Sequence, residues 1–271
     1  SCYINDIGED TIKLSTGGKG SLLVAAFNPI VEGIITISPD VVSVGETHEF
    51  TIDFTVGESG INTGGGIRIQ TPYSSWSFPK LLDDSIKLKS FSNAKIEYKL
   101  EPYFHPMAVF GYVYDIRVTE GRLGQGDSIQ IKYTDGISGI KVQSYPKSNA
   151  YFPVRIDATG KGIYYPMSYD DTVSVCVQEG PPKKLRLAMP MVIGTDEKFD
   201  LSLVVLDDNY NPVYEAFSGY LRVISESAKI DVSYNVQSDE YGIITFKGMK
   251  IETPGFHIIT ASGDSLETAS L

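Results

Sequence analysis

The sequence predicts an all-β protein made of two tandem β-sandwich modules, the second immunoglobulin-like. Three features carry this. Apolar and polar residues alternate with period two along most of the chain, helical patterns are nearly absent, and a proline pair near residue 181 divides a longer piece from a shorter one.

The alternation is plain in Thr51-Ile52-Asp53-Phe54-Thr55-Val56, in Asp127 to Lys132, in Thr172 to Val175 and in Lys198 to Val205. Successive side chains of a strand face opposite sides, so such runs build sheets with one buried face. They are rich in Val, Ile, Tyr, Thr and Phe, which suit a pleated, half-buried surface. The best helical candidate, Leu81 to Leu88, is short and uncapped, and supports one turn at most. The 26 glycines and 14 prolines punctuate the strands as in sandwich folds.

Gly180-Pro181-Pro182-Lys183-Lys184 marks the boundary. Two prolines remove two backbone donors and fix φ, which excludes the segment from a sheet and makes it a short, stiff connector. The expected modules are 1–180, a larger β-sandwich with an N-terminal extension over roughly residues 1–30, and 184–271, close to the ~100 residues of an immunoglobulin-like sandwich. Both open alike. Ser38-Pro39, a Gly45 turn and a strand from Phe50 in the first match Met189-Pro190, a Gly194 turn and a strand from Phe199 in the second.

Bulk properties narrow the function. With 42% hydrophobic and 21% charged residues, the 271-residue chain has a globular composition. A formal net charge of -11, spread along the chain, argues against a nucleic-acid binder and against docking on anionic membranes. There is no apolar run long enough to span a bilayer. The start, SCYINDIGED, lacks a basic, apolar export signal, so in an exported parent the signal is expected to have been removed. Cys2 and Cys176 allow a single bridge and no metal-site spacing; two free thiols are the expectation.

No catalytic residue, metal ligand or cofactor site is expected. His48, His105 and His257 are isolated from one another and from cysteine, whereas zinc needs converging ligands. Gly136-Ile137-Ser138-Gly139 falls short of a nucleophile elbow. Gly64-Gly65-Gly66 leads into a strand, so no helix N-terminus is at hand to hold phosphate, and the glycines are expected to serve a positive φ or close backbone approach. Asp83-Asp84, Asp170-Asp171 and Asp207-Asp208 are acidic pairs. Asp207, Asp208 and Asn209 form a weak calcium candidate, for which a strand-connecting turn is the simpler account. The ligand-binding candidates are Tyr73, Trp76 and Phe78, whose rings stack on a carbohydrate if exposed and plug the end of the sandwich if not. Gly162 to Met167 is a second aromatic cluster.

The stretch Phe54 to Ile69 (FTVGESGINTGGGIRI), followed by Trp76, resembles a segment near the N-terminus of an uncharacterised bacterial family of large proteins. There, β-sandwich modules precede a domain resembling PHP-type metal-dependent phosphoesterases. Gly121 to Asp127, Gly139 to Ser144, Val205 to Val213, Phe217 to Gly219 and Gly255 to Thr260 are similar too, so the likeness spans most of residues 35–265. The family's His- and Asp-rich metal region follows the second sandwich, beyond Leu271, and no metal ligand carries over. The missing catalytic motifs and the pervasive strand patterning, together with this resemblance, point to a non-catalytic accessory or binding region of a larger secreted or envelope protein that positions the downstream domain; the alternatives are a carbohydrate-binding module built on the aromatic cluster around Trp76 and a hydrolase whose site is assembled from distant residues. The expected partners are a downstream domain of the same polypeptide and a carbohydrate or protein ligand.

Overall fold

The computed structural model describes residues 33–72, 75–91, 93–104, 110–167, 172–214, 218–239, 241–263 and 266–271. The proposed N-terminal extension, Cys2, Tyr73, His105, the Asp170-Asp171 pair and Phe217 lie outside them. Every regular element among the described residues is a strand. Before the proline pair come β1 (Gly33–Ser38), β2 (Val41–Ser43), β3 (Thr47–His48), β4 (Phe50–Val56), β5 (Ile61–Asn62), β6 (Gly66–Gln70), β7 (Ile86–Lys89) and β8 (Lys95–Phe104). They are followed by β9 (Phe110–Glu120), β10 (Arg122–Leu123), β11 (Ser128–Tyr133), β12 (Ile140–Lys141), β13 (Lys147–Tyr151), β14 (Val154–Asp157), β15 (Tyr165–Pro166) and β16 (Ser174–Gln178). After the pair come β17 (Lys184–Ala188), β18 (Phe199–Leu206), β19 (Ser218–Ser225), β20 (Ile230–Gln237), β21 (Ile243–Met249), β22 (Thr260–Gly263) and β23 (Leu266–Ser270).

Among the described residues no sheet draws strands from both sides of the connector. In the first module, a four-stranded sheet ordered β1-β4-β11-β7 and a five-stranded sheet ordered β15-β14-β6-β9-β8 supply the main layers. The alternation of β4 is realised fully: Phe50, Ile52, Phe54 and Val56 are buried and the residues between them are not. With Ile129, Ile131 and Tyr133 of β11 they share one core with Ile67 and Ile69 of β6 and Tyr114 and Ile116 of β9. Packing two inner faces in this way is what makes a sandwich. The segment Leu81 to Leu88 forms a turn and then β7, not a helix.

The triple glycine is a site of close packing. Gly64 has a φ of +86°. A Cβ on Gly65 would strike the carbonyl oxygen of Asp157, and one on Gly66 that of Ile116.

In the second module, seven strands run β20-β19-β22-β23-β17-β18-β21. The link between β23 and β17 is parallel and short, Lys184 opposite Glu267. Leu187, Leu203 and Phe246 from one side of that link share a core with Leu221, Val223 and Ala261 from the other. The matching openings form matching pairs: β1 lies antiparallel to β4, and β17 to β18.

Candidate functional site

The segment 75–80 is bonded to β12 at Lys141 and, through Lys80 N–H, to the Thr134 carbonyl just after β11. Ser77 donates its N–H to the Lys141 carbonyl at 2.9 Å, and its hydroxyl accepts the Lys141 N–H at 2.8 Å. This pins Trp76 inward and Phe78 outward. Trp76 is only 6% exposed, stacks on Tyr133 at 6.1 Å and lies 5.2 Å from Phe50. Its indole N–H donates to Gln143 Oε1 at 3.3 Å. Of the two readings open to this cluster, the Trp76 ring takes the buried one and closes the core, as large aromatics do. Phe78 is 63% exposed and meets the Tyr112 ring edge-on at 5.5 Å. Together with Thr71, Ser75, Ser77, Lys141 and Ser144 these rings line a cleft of about 510 Å³. The cleft holds ring faces, hydroxyls and one cation, with no carboxylate among its described lining residues. Tyr112 and Lys141 were not singled out from the sequence, because only the tertiary fold brings β9 and β12 beside Phe78.

The acidic candidates resolve differently. Asp207 follows β18 and is fully buried. Its Oδ1 accepts the N–H groups of Asn209 and Asn211 at 2.8 and 2.9 Å, and its Oδ2 accepts Gly180 N–H at 3.0 Å and Asn211 Nδ2 at 2.9 Å. Burial pushes its pKa up, but the Asn211 side chain and the three backbone donors outweigh it and hold the carboxyl below its usual value. Those N–H groups take up the carboxylate lone pairs through which Asp207 would bind a calcium ion. Asp208 points away to Lys184 at 3.1 Å, and the Asn209 amide lies against Gly45, so the three candidate ligands do not converge. Among the described residues no three His, Cys, Asp or Glu side chains are grouped to hold a metal. His48 pairs with Glu46 at 2.9 Å, and His257 bonds Ser227 and the Thr253 carbonyl. Cys176 forms no disulfide among the described residues.

Asp127 and Asp157 repeat the pattern of Asp207. Asp127 accepts Phe91 N–H, Gly124 N–H and the Ser90 hydroxyl; Asp157 accepts the N–H groups of Thr159, Gly160 and Gly162. Each buried carboxylate organises a loop. Asp115, on β9, differs: its buried carboxylate faces Arg68 and Arg117 at 3.2 Å and Lys99 at 3.8 Å. In the second module, an apolar recess of about 270 Å³ lies beside Leu271, bordered by Met189, Met191 and Phe256.

No family model matches the chain, and no curated protein matches it. Among solved structures it is similar to a β-glycosidase from Bacteroides vulgatus at 13% sequence identity and a TM-score of 0.30, over 88% of this chain and 24% of that one. This chain thus spans about a quarter of the length of that protein. It is also similar to domains A168–A170 of titin at 8% identity and a TM-score of 0.20, over 88% of this chain and 98% of that one. Likeness of this degree carries no functional argument, and the all-β class rests on the strands themselves.

Proposed function

We propose that this chain is a non-catalytic accessory region of a larger exported or envelope protein, a pair of β-modules that sets the position of a following metal-dependent hydrolase-like domain of the same polypeptide. The observation that carries this is the joint at Asp207. One carboxylate ties the loop after β18 to Gly180 of the connector, and Asn211 of that loop donates to the Ser144 carbonyl of the first module at 2.8 Å. The Glu179 carboxylate accepts Tyr214 N–H at 3.0 Å across the same joint. A spacer that has to hold an orientation needs such cross-module bonds, because short connectors alone leave domains free to move. The second module is immunoglobulin-like in this reading, since β17-β18-β21 and β20-β19-β22-β23 divide as the two sheets of such sandwiches do. The recess at Met191 and Phe256 is the surface we assign to the following domain. Assays of the chain with phosphate esters and glycosides, divalent metals added, test the proposal. No turnover is expected; turnover abolished by changing one carboxylate overturns it.

A second reading, saccharide binding at the Phe78 cleft, is favoured by the exposed Phe78 ring set against Tyr112 among hydroxyls. Trp76 is its floor and not its platform. Phe78→Ala is expected to abolish binding on a glycan array while leaving the thermal midpoint unchanged. Trp76→Ala is expected to cost about 3–5 kcal/mol of stability, as a buried Trp deletion does. Glycan binding that survives Phe78→Ala, or no glycan binding by the wild type, sinks this reading.

A further inference from the structure

On the outer face of the five-stranded sheet, the register aligns two neighbouring rungs. One is Arg155, Arg68, Asp115 and Lys99; the next is Pro153, Gln70, Val113 and Glu101. Between them lies a recess of about 190 Å³, lined by Arg68, Gln70, Arg155, Glu101, Tyr103 and Pro153 among others. It sits on the opposite side of the sheet from the Phe78 cleft, because Gln70 and Thr71 are successive residues of an extended segment.

Three features of the recess call for a ligand. First, its cations exceed its local needs. Asp115 is matched by Arg68, Arg117 and Lys99, Glu101 is held by Lys99, and Glu97 lies opposite Arg117 one rung further on. Arg155 is left with no ion pair among the described residues, in a chain whose net charge is -11. Second, the Arg68 guanidinium is held in place, 4.0 Å over the Tyr164 ring and bonded to Asp115. A planar donor that is already oriented loses little freedom on binding. Third, Gln70 is only 9% exposed and its Nε2 has no hydrogen-bond partner. A buried amide donor left unpaired is costly, and an acceptor entering the recess removes that cost.

We propose that this recess binds an oxyanion, the carboxylate of an acidic saccharide, between Arg155, Arg68 and the Gln70 amide. Two guanidinium groups and an amide N–H match the donors a carboxylate takes, and the Tyr103 ring and Pro153 offer flat apolar faces beside them. The site is independent of the accessory role and of the Phe78 cleft. It also reconciles an acidic chain with an acidic ligand, since the repulsion of distant surface charges is screened within about 10 Å at 0.1 M salt while the local cations are not.

The test is heteronuclear NMR titration of the intact chain with galacturonate, galactose, acetate and sulfate. Galacturonate is expected to saturate shifts at Arg68, Gln70 and Arg155, with galactose inert there. Arg155→Gln is expected to weaken binding at least about tenfold, the worth of one charge-assisted hydrogen bond. Gln70→Leu separates binding from folding: it is expected to weaken galacturonate and to raise the thermal midpoint, because an unpaired buried donor is gone. Acetate or sulfate binding as tightly as galacturonate supports the oxyanion site and overturns the saccharide as its source. No saturable binding by any of the anions, or binding untouched by both substitutions, overturns the site.

Discussion

Two buried aspartates, one at the joint and one on the outer sheet face, solve the same problem in opposite ways. Asp207 is surrounded by four N–H donors, three of them backbone, which neutralise its charge with dipoles fixed by the chain itself. Asp115 is surrounded by the tips of three long cationic side chains, each about half in solvent. The first arrangement is closed: every acceptor site is filled, and nothing is left to recruit a ligand. The second is open, because its cations reach beyond the carboxylate they serve. A buried acid therefore signals a site only when its partners have capacity to spare.

The largest expected effect lies at the joint. Asp207→Ala removes a fully buried carboxylate and the acceptor of four part-buried donors at once. A neutral donor that loses its acceptor costs about 1–3 kcal/mol where water cannot replace it. Because the stranded donors include Gly180 of the connector, the loss is expected to loosen the two modules as well as to lower stability. Urea unfolding and small-angle scattering together check this. A variant that keeps both its midpoint and its compactness would show that the joint is held elsewhere.

Acid is the second probe; the Asp115 carboxyl is held low as well, so it is Asp207→Asn and added salt that separate the two regions. The carboxyls of Asp207 and Asp157 are held below the usual value of 3.8: burial pushes each up, and hydrogen bonds more than offset it. A pKa depressed in the folded state contributes stability that is present above the unfolded value and lost as pH falls through the folded one. Stability is thus expected to decline as pH drops below about 4, and Asp207→Asn, which cannot titrate, should flatten that decline. Added salt should change the Asp115 face and leave this slope alone, since screening acts on exposed charges.

Much of the architecture was legible because it is periodic. The runs at Thr51 to Val56 and Lys198 to Val205 alternate without a break, and they form β4 and β18 within a residue of their expected ends. Pro181 and Pro182 can be read as a break from backbone chemistry alone, and of the two core clusters one runs from Ile35 to Val177 and the other from Leu185 to Leu266. The sites were far less legible. Trp76 amid serines reads locally as either a platform or a plug, and its burial is decided by Phe50 of β4, Tyr133 of β11 and Phe152 between β13 and β14, all distant in sequence. The rung Arg155, Arg68, Asp115, Lys99 gathers four residues from four strands, and no local pattern encodes a register among β14, β6, β9 and β8. Asp207-Asp208-Asn209 did carry a local signal, that of a turn, and its geometry is that of a turn.

Asp115→Asn is expected to cost about 1–2 kcal/mol, less than at the joint because its cationic partners stay half solvated and relax into water. The smallest expected effect is the most pointed test of the open arrangement. Arg155 makes no ion pair among the described residues, so in anion-free buffer Arg155→Gln should change stability by less than about 0.5 kcal/mol. With saturating galacturonate the two proteins should part, because a ligand that binds only the folded state raises stability by RT ln(1 + [L]/Kd). Wild type and Asp115→Asn should both gain, the latter more, since Arg68 no longer divides its charge between an internal carboxylate and an external one. Arg155→Gln should gain little. If all three gained equally, the cations of this face would be serving Asp115 alone, and the distinction between a closed carboxylate and an open one would fail.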